Sequence, residues 1–355
     1  MHSTFSLASM MRVAAIAIAL CLSACHVADA GVFGIGYFSD QVYLFDETTG
    51  ARSVFNTMPS SNLTGIAVNP NTGRVYVSSQ SAGVFTFDGR TPNDTPVPLP
   101  GTVGLFNTGI AVNPINNNVY VNSFNGANPS IRVFDAAGNV GTSLSGSGMG
   151  GLLWRAGGTN GSLLIGDGFF SGSSPNITSI NLDTFTPGLF SNENPVLPIN
   201  QLAADSFGRV YAGTTDLGGG VGGSVVMRYD LAGNVINNPW VTVTSGVTIP
   251  LPTGNLGTLS PFTSPAGVAV SNGFVFVGVQ GATRPGENPP GYPGDGAVLK
   301  YDFNGNLVAG FSSGLVSING LAVQAVPEPS SLVLFTLGSG LLIYRGVYRR
   351  KSAIS

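Results

Sequence analysis

The sequence predicts an all-β fold: a six-bladed β-propeller of four-stranded antiparallel blades, its ring closed by a strand from the C-terminal end of the domain. Three observations predict it. The first is an apolar strand motif that recurs as LTGIAVNP (63–70), NTGIAVNP (107–114), GGLLWRAG (150–157), NQLAADSF (200–207), PAGVAVSN (265–272) and INGLAVQA (318–325). These copies align on Gly65, Gly109, Gly151, Gln201, Gly267 and Gly320, at intervals of 44, 42, 50, 66 and 53 residues. The second is the strand that follows every copy but the last: RVYVSS (74–79), NVYVNS (118–123), SLLIGD (162–167), RVYAGT (209–214) and FVFVGV (274–279). The third is a further strand ending in an aromatic or apolar residue and Asp, then a turn, as in VFTFDG (84–89), IRVFDAAGN (131–139), VMRYDLAGN (226–234) and VLKYDFNGN (298–306). In those turns the Asp side chain accepts from its own backbone and the Gly takes a positive φ. A single blade of this kind cannot bury both faces; stacking blades around an axis buries them and leaves only short edges.

In chain order, residues 1–30 read as a signal peptide, with a weakly basic start containing Arg12 and the apolar run VAAIAIALCLSA (13–24). Two processing readings stand. Ala28-Asp29-Ala30 is an A-x-A cleavage site that leaves Gly31 first, whereas Leu22-Ser23-Ala24-Cys25 looks like a lipobox that would make Cys25 a lipidated terminus. In either case the mature chain keeps at most Cys25, so no internal disulfide and no cysteine metal site is expected. The domain, 31–325, opens in mid-blade with VFGIGYF (32–38), QVYLFDETTG (41–50) and ARSVF (51–55), and INGLAV (318–323) supplies the missing innermost strand. The 66-residue interval is too short for two blades and holds one blade with a long loop.

The remaining segment, 326–355, joins VPEPSS to 14 uncharged residues (331–344) and to Arg345, Arg349, Arg350 and Lys351. Fourteen residues are short for a bilayer, which takes about 20. The order of Pro327, Glu328 and Pro329, a short apolar helix and a basic cluster resembles the PEP-CTERM sorting signal. That resemblance implies an exosortase-type processing enzyme as partner and a transient membrane-inserted helix. It also implies export through the inner membrane to the surface or exterior of a Gram-negative bacterium.

Composition excludes several functions. Between 31 and 326, 15 acids (17 less Asp29 and Glu328) face 9 bases (14 less Arg12 and the four of the tail), a net charge near −6. Nucleic acid is therefore not an expected partner. The two histidines, His2 and His26, lie in the leader, so no histidine catalysis is expected of the domain.

The loops joining second to third strands, and those joining blades, share one face and carry most of the length variation: SFNGANPS (123–130), GDGFFSGSSPN (166–176), TTDLGGGVGG (214–223), QGATRPGENPPGYPGDG (280–296) and the inter-blade stretch 240–264. A rigid ring presents such a face as a binding surface for a polysaccharide or another surface protein. Asn62, Asn107, Asn200 and Asn319 precede first strands, where they are expected to ring the channel mouth as ligand groups or simply to cap turns. Asp40, Asp167 and Asp216 offer oxygens of the kind that suit Ca²⁺, the one candidate cofactor, although no D-x-D-x-D-G loop contains them. Trp240 and Tyr292 are the loop aromatics expected to stack on sugar rings, whereas Tyr76, Phe87, Tyr120 and Phe134 are expected to pack between blades.

Across 31–325 the pattern resembles six-bladed propellers of the NHL-repeat and gluconolactonase-like kind. That resemblance implies, as the alternative to a non-enzymatic scaffold, a metal-dependent lactonase-type hydrolase with carboxylates and an Asn on the axis. The first strands depart from this. They read GIAVN, GIAVN, GLLWR, QLAAD, GVAVS and GLAVQ, and their one acid, Asp205, aligns with Asn69 in a tight turn.

Overall fold

The computed structural model describes residues 31–37, 39–124, 129–145, 150–167, 176–191, 198–214, 225–236, 239–243, 248–250, 256–258, 264–280, 296–312 and 318–324. The leader, the tail with Pro327, Glu328 and Pro329, and also Cys25, Asp216 and Tyr292, lie outside them. The domain forms six four-stranded antiparallel sheets and one two-stranded hairpin. Blade 1 holds Gly31–Ile35, Gln41–Asp46 and Arg52–Thr57, completed by Gly320–Val323 on its inner edge. Blade 2 runs from Leu63 to Pro98, blade 3 from Phe106 to Ser145, blade 4 from Leu152 to Ser191, blade 5 from Ile199 to Thr242 and blade 6 from Ser264 to Ser312. The expected closure holds: Val32 pairs with Val323, Phe33 with Ala322, Gly34 with Leu321 and Ile35 with Gly320.

Side-chain alternation explains why the strands read as nearly continuous apolar runs. In Arg74–Ser79, Val75 and Val77 pack with Phe33, Ile35 and Phe55 of blade 1, while Tyr76 points the other way into Ile110, Val121 and Phe134 of blade 3. Third strands divide similarly, with Phe85 and Phe87 toward blade 1 and Val84 toward blade 3. Period-two geometry thus feeds two interfaces from one strand, so both of its faces are apolar. The core is a set of inter-blade wedges rather than one central mass. Tyr76, Phe87, Tyr120 and Phe134 all lie in it, at 5%, 0%, 3% and 0% exposure.

Trp240 corrects the sequence reading. Expected as an exposed loop aromatic, it is 7% exposed and sits in the wedge between blades 5 and 6. Its ring is edge-on to Tyr211 at 5.0 Å and 6.1 Å from Tyr301, and its backbone N–H donates to the Val226 carbonyl at 3.1 Å. The outer strand of blade 5 is only Val241–Thr242, and Trp240 directly precedes it, packed against Tyr211, Val226 and Tyr301. Within the stretch 240–264, the hairpin Thr248–Pro250 with Leu256–Thr258 lies alongside Leu307–Ser312, the outer strand of blade 6, rather than over the loop face.

The opposite face is made of tight turns, and their chemistry is as expected. Asp135 accepts from the N–H groups of Ala137 and Asn139 and from the Asn139 amide, all at 2.8–2.9 Å. Asp230 and Asp302 repeat the pattern with Ala232 and Asn234, and with Asn304 and Asn306. The intervening glycines, Gly138, Gly233 and Gly305, have φ of 85°, 88° and 88°, where only glycine is unstrained. Four hydrogen bonds to each of these carboxyls hold it below the usual range, side-chain bonds from Asn139, Asn234 and Asn306 being the largest cause. A carboxyl depressed by folding contributes stability above its unfolded pKa near 3.8 and loses it as pH falls through the folded value. Asp167 has the opposite sign. Burial pushes its carboxyl up, so its ionisation costs stability as pH rises through and above 3.8. Asp167→Asn is therefore expected to raise the melting temperature at pH 7.5 and to leave it unchanged near pH 3, where the wild type itself melts earlier. An equal shift at both values would show that burial of charge is not the cause.

Candidate functional site

The innermost strand of each blade pairs on one side only, so its other edge directs N–H and C=O groups at the axis. Glycine at the aligned position lets the blades meet there. A Cβ on Gly109 would stand 2.7 Å from the Gly150 carbonyl oxygen, and one on Gly151 would stand 2.6 Å from the Asn200 carbonyl oxygen. Blade 5 alone has a side chain in this row. Gln201 crosses the axis: its amide Nε2 donates to the Leu321 carbonyl at 2.7 Å, and its Oε1 accepts from the N–H groups of Val268 and Leu321, both at 2.9 Å. One amide thus ties blade 5 to blades 6 and 1.

Beside Gln201 lies a cavity of about 10 Å³ lined by Thr64, Thr108, Asn200 and Asn319 among others. That is room for a single water. The Thr108 hydroxyl is buried here without a protein partner. The four candidate asparagines therefore separate. Asn200 and Asn319 line the axial mouth. Asn62 stands one residue before its strand with φ of 62°, a turn conformation. Asn107 is fully buried, donating to the carbonyls of Thr102 and Leu105 at 3.1 Å and accepting from the Ser123 hydroxyl at 2.8 Å. Asn107 lies two residues before the aligned Gly109, whereas Asn200 and Asn319 lie one before Gln201 and Gly320, the offset that Thr108 has in blade 3.

Of the candidate acids, Asp40 is exposed on the loop face and its carbonyl accepts from the Met58 N–H at 2.6 Å. Asp167 is 6% exposed; its Oδ2 receives a long 3.4 Å bond from the Asn176 N–H, and its Oδ1 has no partner. Among the described residues no three His, Cys, Asp or Glu side chains gather as a metal-binding group. Asp205, the one acid of the first strands, is engaged in its turn with Phe207 and Arg209 and forms an ion pair with Arg209 at 2.6 Å. The axial lining of threonine, asparagine and a committed glutamine does not fit the carboxylate-held metal of the lactonase type, and no reaction step is derived through one.

A larger cleft of about 440 Å³ opens on the flank between blades 3 and 4, lined by Ser145, Ile165, Thr178, Ile180, Pro187 and Leu189. Sequence reading gave no sign of it.

Comparison with known proteins supports the two halves separately. No curated protein matches the sequence. Solved structures match in fold. A nidogen/laminin complex gives a TM-score of 0.58 at 12% identity over 83% of this chain and 98% of that one. A Bacteroides caccae protein of unknown function gives 0.56 at 11% over 84% and 100%. TolB from Acinetobacter baumannii gives 0.54 at 13% over 83% and 66%. Residues 325–351, which include Pro327, Glu328 and Pro329, match the PEP-CTERM protein-sorting motif. That motif implies export through the inner membrane, and the chain is accordingly a six-bladed β-propeller carrying a PEP-CTERM sorting signal at its C-terminus.

Proposed function

We propose that this is a non-enzymatic scaffold of a Gram-negative envelope or extracellular matrix, delivered by exosortase-type processing, which binds an extracellular polysaccharide or surface protein through its loop face. The observation that carries this reading is the placement of the chain ends. The Gln324 N–H donates to the Gly31 carbonyl at 2.8 Å, so both ends of the ring lie on the turn face, opposite the loop face. An axial cavity of only about 10 Å³ favours surface recognition over an axial active site. Tyr292, in the longest loop, and Asn200 and Asn319 at the mouth are the residues assigned to contact.

The test is retention of the full chain on polysaccharide purified from the host. Retention that falls at least tenfold when 281–295 is replaced by a short Gly/Ser linker is the expected result. Undiminished retention would move binding off this loop, and no retention on polysaccharide or on host surface protein would overturn the reading. In parallel, metal-stripped protein titrated with Ca²⁺, Mn²⁺ and Zn²⁺ is expected to show no shift of its melt. Micromolar binding with a rise in melting temperature would restore the hydrolase and direct mutation to Asp40, Asp167 and Asp216.

A further inference from the structure

The turn face has a feature that its role as the exit of both chain ends does not require. Phe207, Leu231, Phe185 and Ile115 are 67%, 59%, 59% and 57% exposed, and each stands in a turn of this face. Phe185 also holds a φ of 55°, a conformation a bulky residue rarely keeps. Among the described residues the other large exposed apolar side chains are aliphatic and lie on outer strands, apart from Val103 on the loop face; both exposed phenylalanines are on the turn face. Two of these groups, Phe207 and Leu231, adjoin, and the half-buried Phe303 extends them. A Cβ on Gly208, next to Phe207, would collide with the Leu231 side chain, and Phe207 meets Phe303 edge-on at 6.5 Å. Arg209 lies over the rings of Phe207 and Phe303, at 5.2 and 4.7 Å, and Arg155 donates to the Leu231 carbonyl at 2.7 Å.

We propose that this face docks on a lipid bilayer while the C-terminal segment holds the chain there. The length of the tether selects this occupant. From Gln324 to the uncharged run beginning at Ser331 the chain has six intervening residues, which span about 20 Å at full extension. As long as the run is in a membrane, the turn face is kept beside that membrane and the loop face is kept off it. Aromatic and aliphatic side chains on separate turn tips enter the headgroup region, and arginines that keep their stems on aromatic rings stay at its polar level. Asp183, Asp205, Asp230 and Asp302 share the face, so the lipid it suits is zwitterionic rather than anionic. This inference does not depend on what the loop face binds.

The experiment uses the full chain with Cys21 and Cys25 changed to Ser, reconstituted in phosphatidylcholine/phosphatidylethanolamine vesicles. An environment-sensitive dye is placed by Phe207→Cys, Leu231→Cys or, on the loop face, Val103→Cys. Quenching by nitroxide-bearing lipid is expected to be several-fold stronger at 207 and 231 than at 103, and quenching by aqueous iodide to follow the reverse order. To separate docking from mere tethering, a dye at Ile115→Cys is expected to lose its lipid quenching when Phe207 and Leu231 are both changed to Ser. Equal lipid quenching at all sites, or an Ile115 signal indifferent to that double change, would overturn the proposal. Protection of 207 from iodide without lipid quenching would also overturn it, in favour of a protein partner or a second copy.

Discussion

Replacing Gln201 by leucine should destabilise the ring by about 3 kcal/mol, at about 1 kcal/mol for each of three hydrogen bonds removed. The groups left behind, the Val268 N–H and both backbone groups of Leu321, face the axis, where no neighbouring strand can pair them. Chemical denaturation of the purified protein reads this directly. Gln201→Glu makes the argument sharper. It keeps an acceptor for the two N–H groups but removes the donor to the Leu321 carbonyl and sets a charge against that oxygen. Its loss at neutral pH should exceed that of leucine and should shrink in acid as the carboxyl takes up a proton. A leucine variant within about 0.5 kcal/mol of wild type, the usual range for an uninvolved surface change, would remove Gln201 from its place as the axial tie.

The second large effect is expected at the clasp. Leu321 is 1% exposed and packs with Val32, Phe45, Phe276 and Ile318, joining blades 6 and 1 at the only point where the ring is closed by residues from opposite ends of the chain. Leu321→Ala should cost about 2–5 kcal/mol, the usual range for a buried leucine whose cavity cannot collapse. Because the clasp pairs residues nearly 300 positions apart, its loss should also speed unfolding rather than merely shift the midpoint. Gln324→Ala, just beyond the strand, removes a 2.8 Å bond to the Gly89 carbonyl and should cost about 1 kcal/mol. If the two variants behaved alike, the clasp would not be the closing element.

The site reading has the same dependence on closure. Phe207 and Leu231 stand on two turns of blade 5, and Phe303 of blade 6 joins them because the ring brings every second-strand start and third-strand end to one side. The asparagines show how fine the control is. Asn107 stands two residues before the aligned Gly109, whereas Asn200 and Asn319 stand one before Gln201 and Gly320, the position that Thr64 and Thr108 take in blades 2 and 3. A one-residue difference in register exchanges the two faces of a strand.

What the sequence determined alone was whatever repeats or is local. Blade number, the order of strands, the clasp by INGLAV, the Asp-locked turns with glycine at positive φ, and the sorting signal are each written in contiguous residues whose period or chemistry is visible without coordinates. The tertiary structure alone decided the burial of Trp240, the cross-blade hydrogen bonds of Gln201, and the gathering of Phe207, Leu231 and Phe303. Each of these depends on where two distant strands meet across the axis or across a wedge. Such meetings are fixed by register and blade stacking, which act between segments rather than within them.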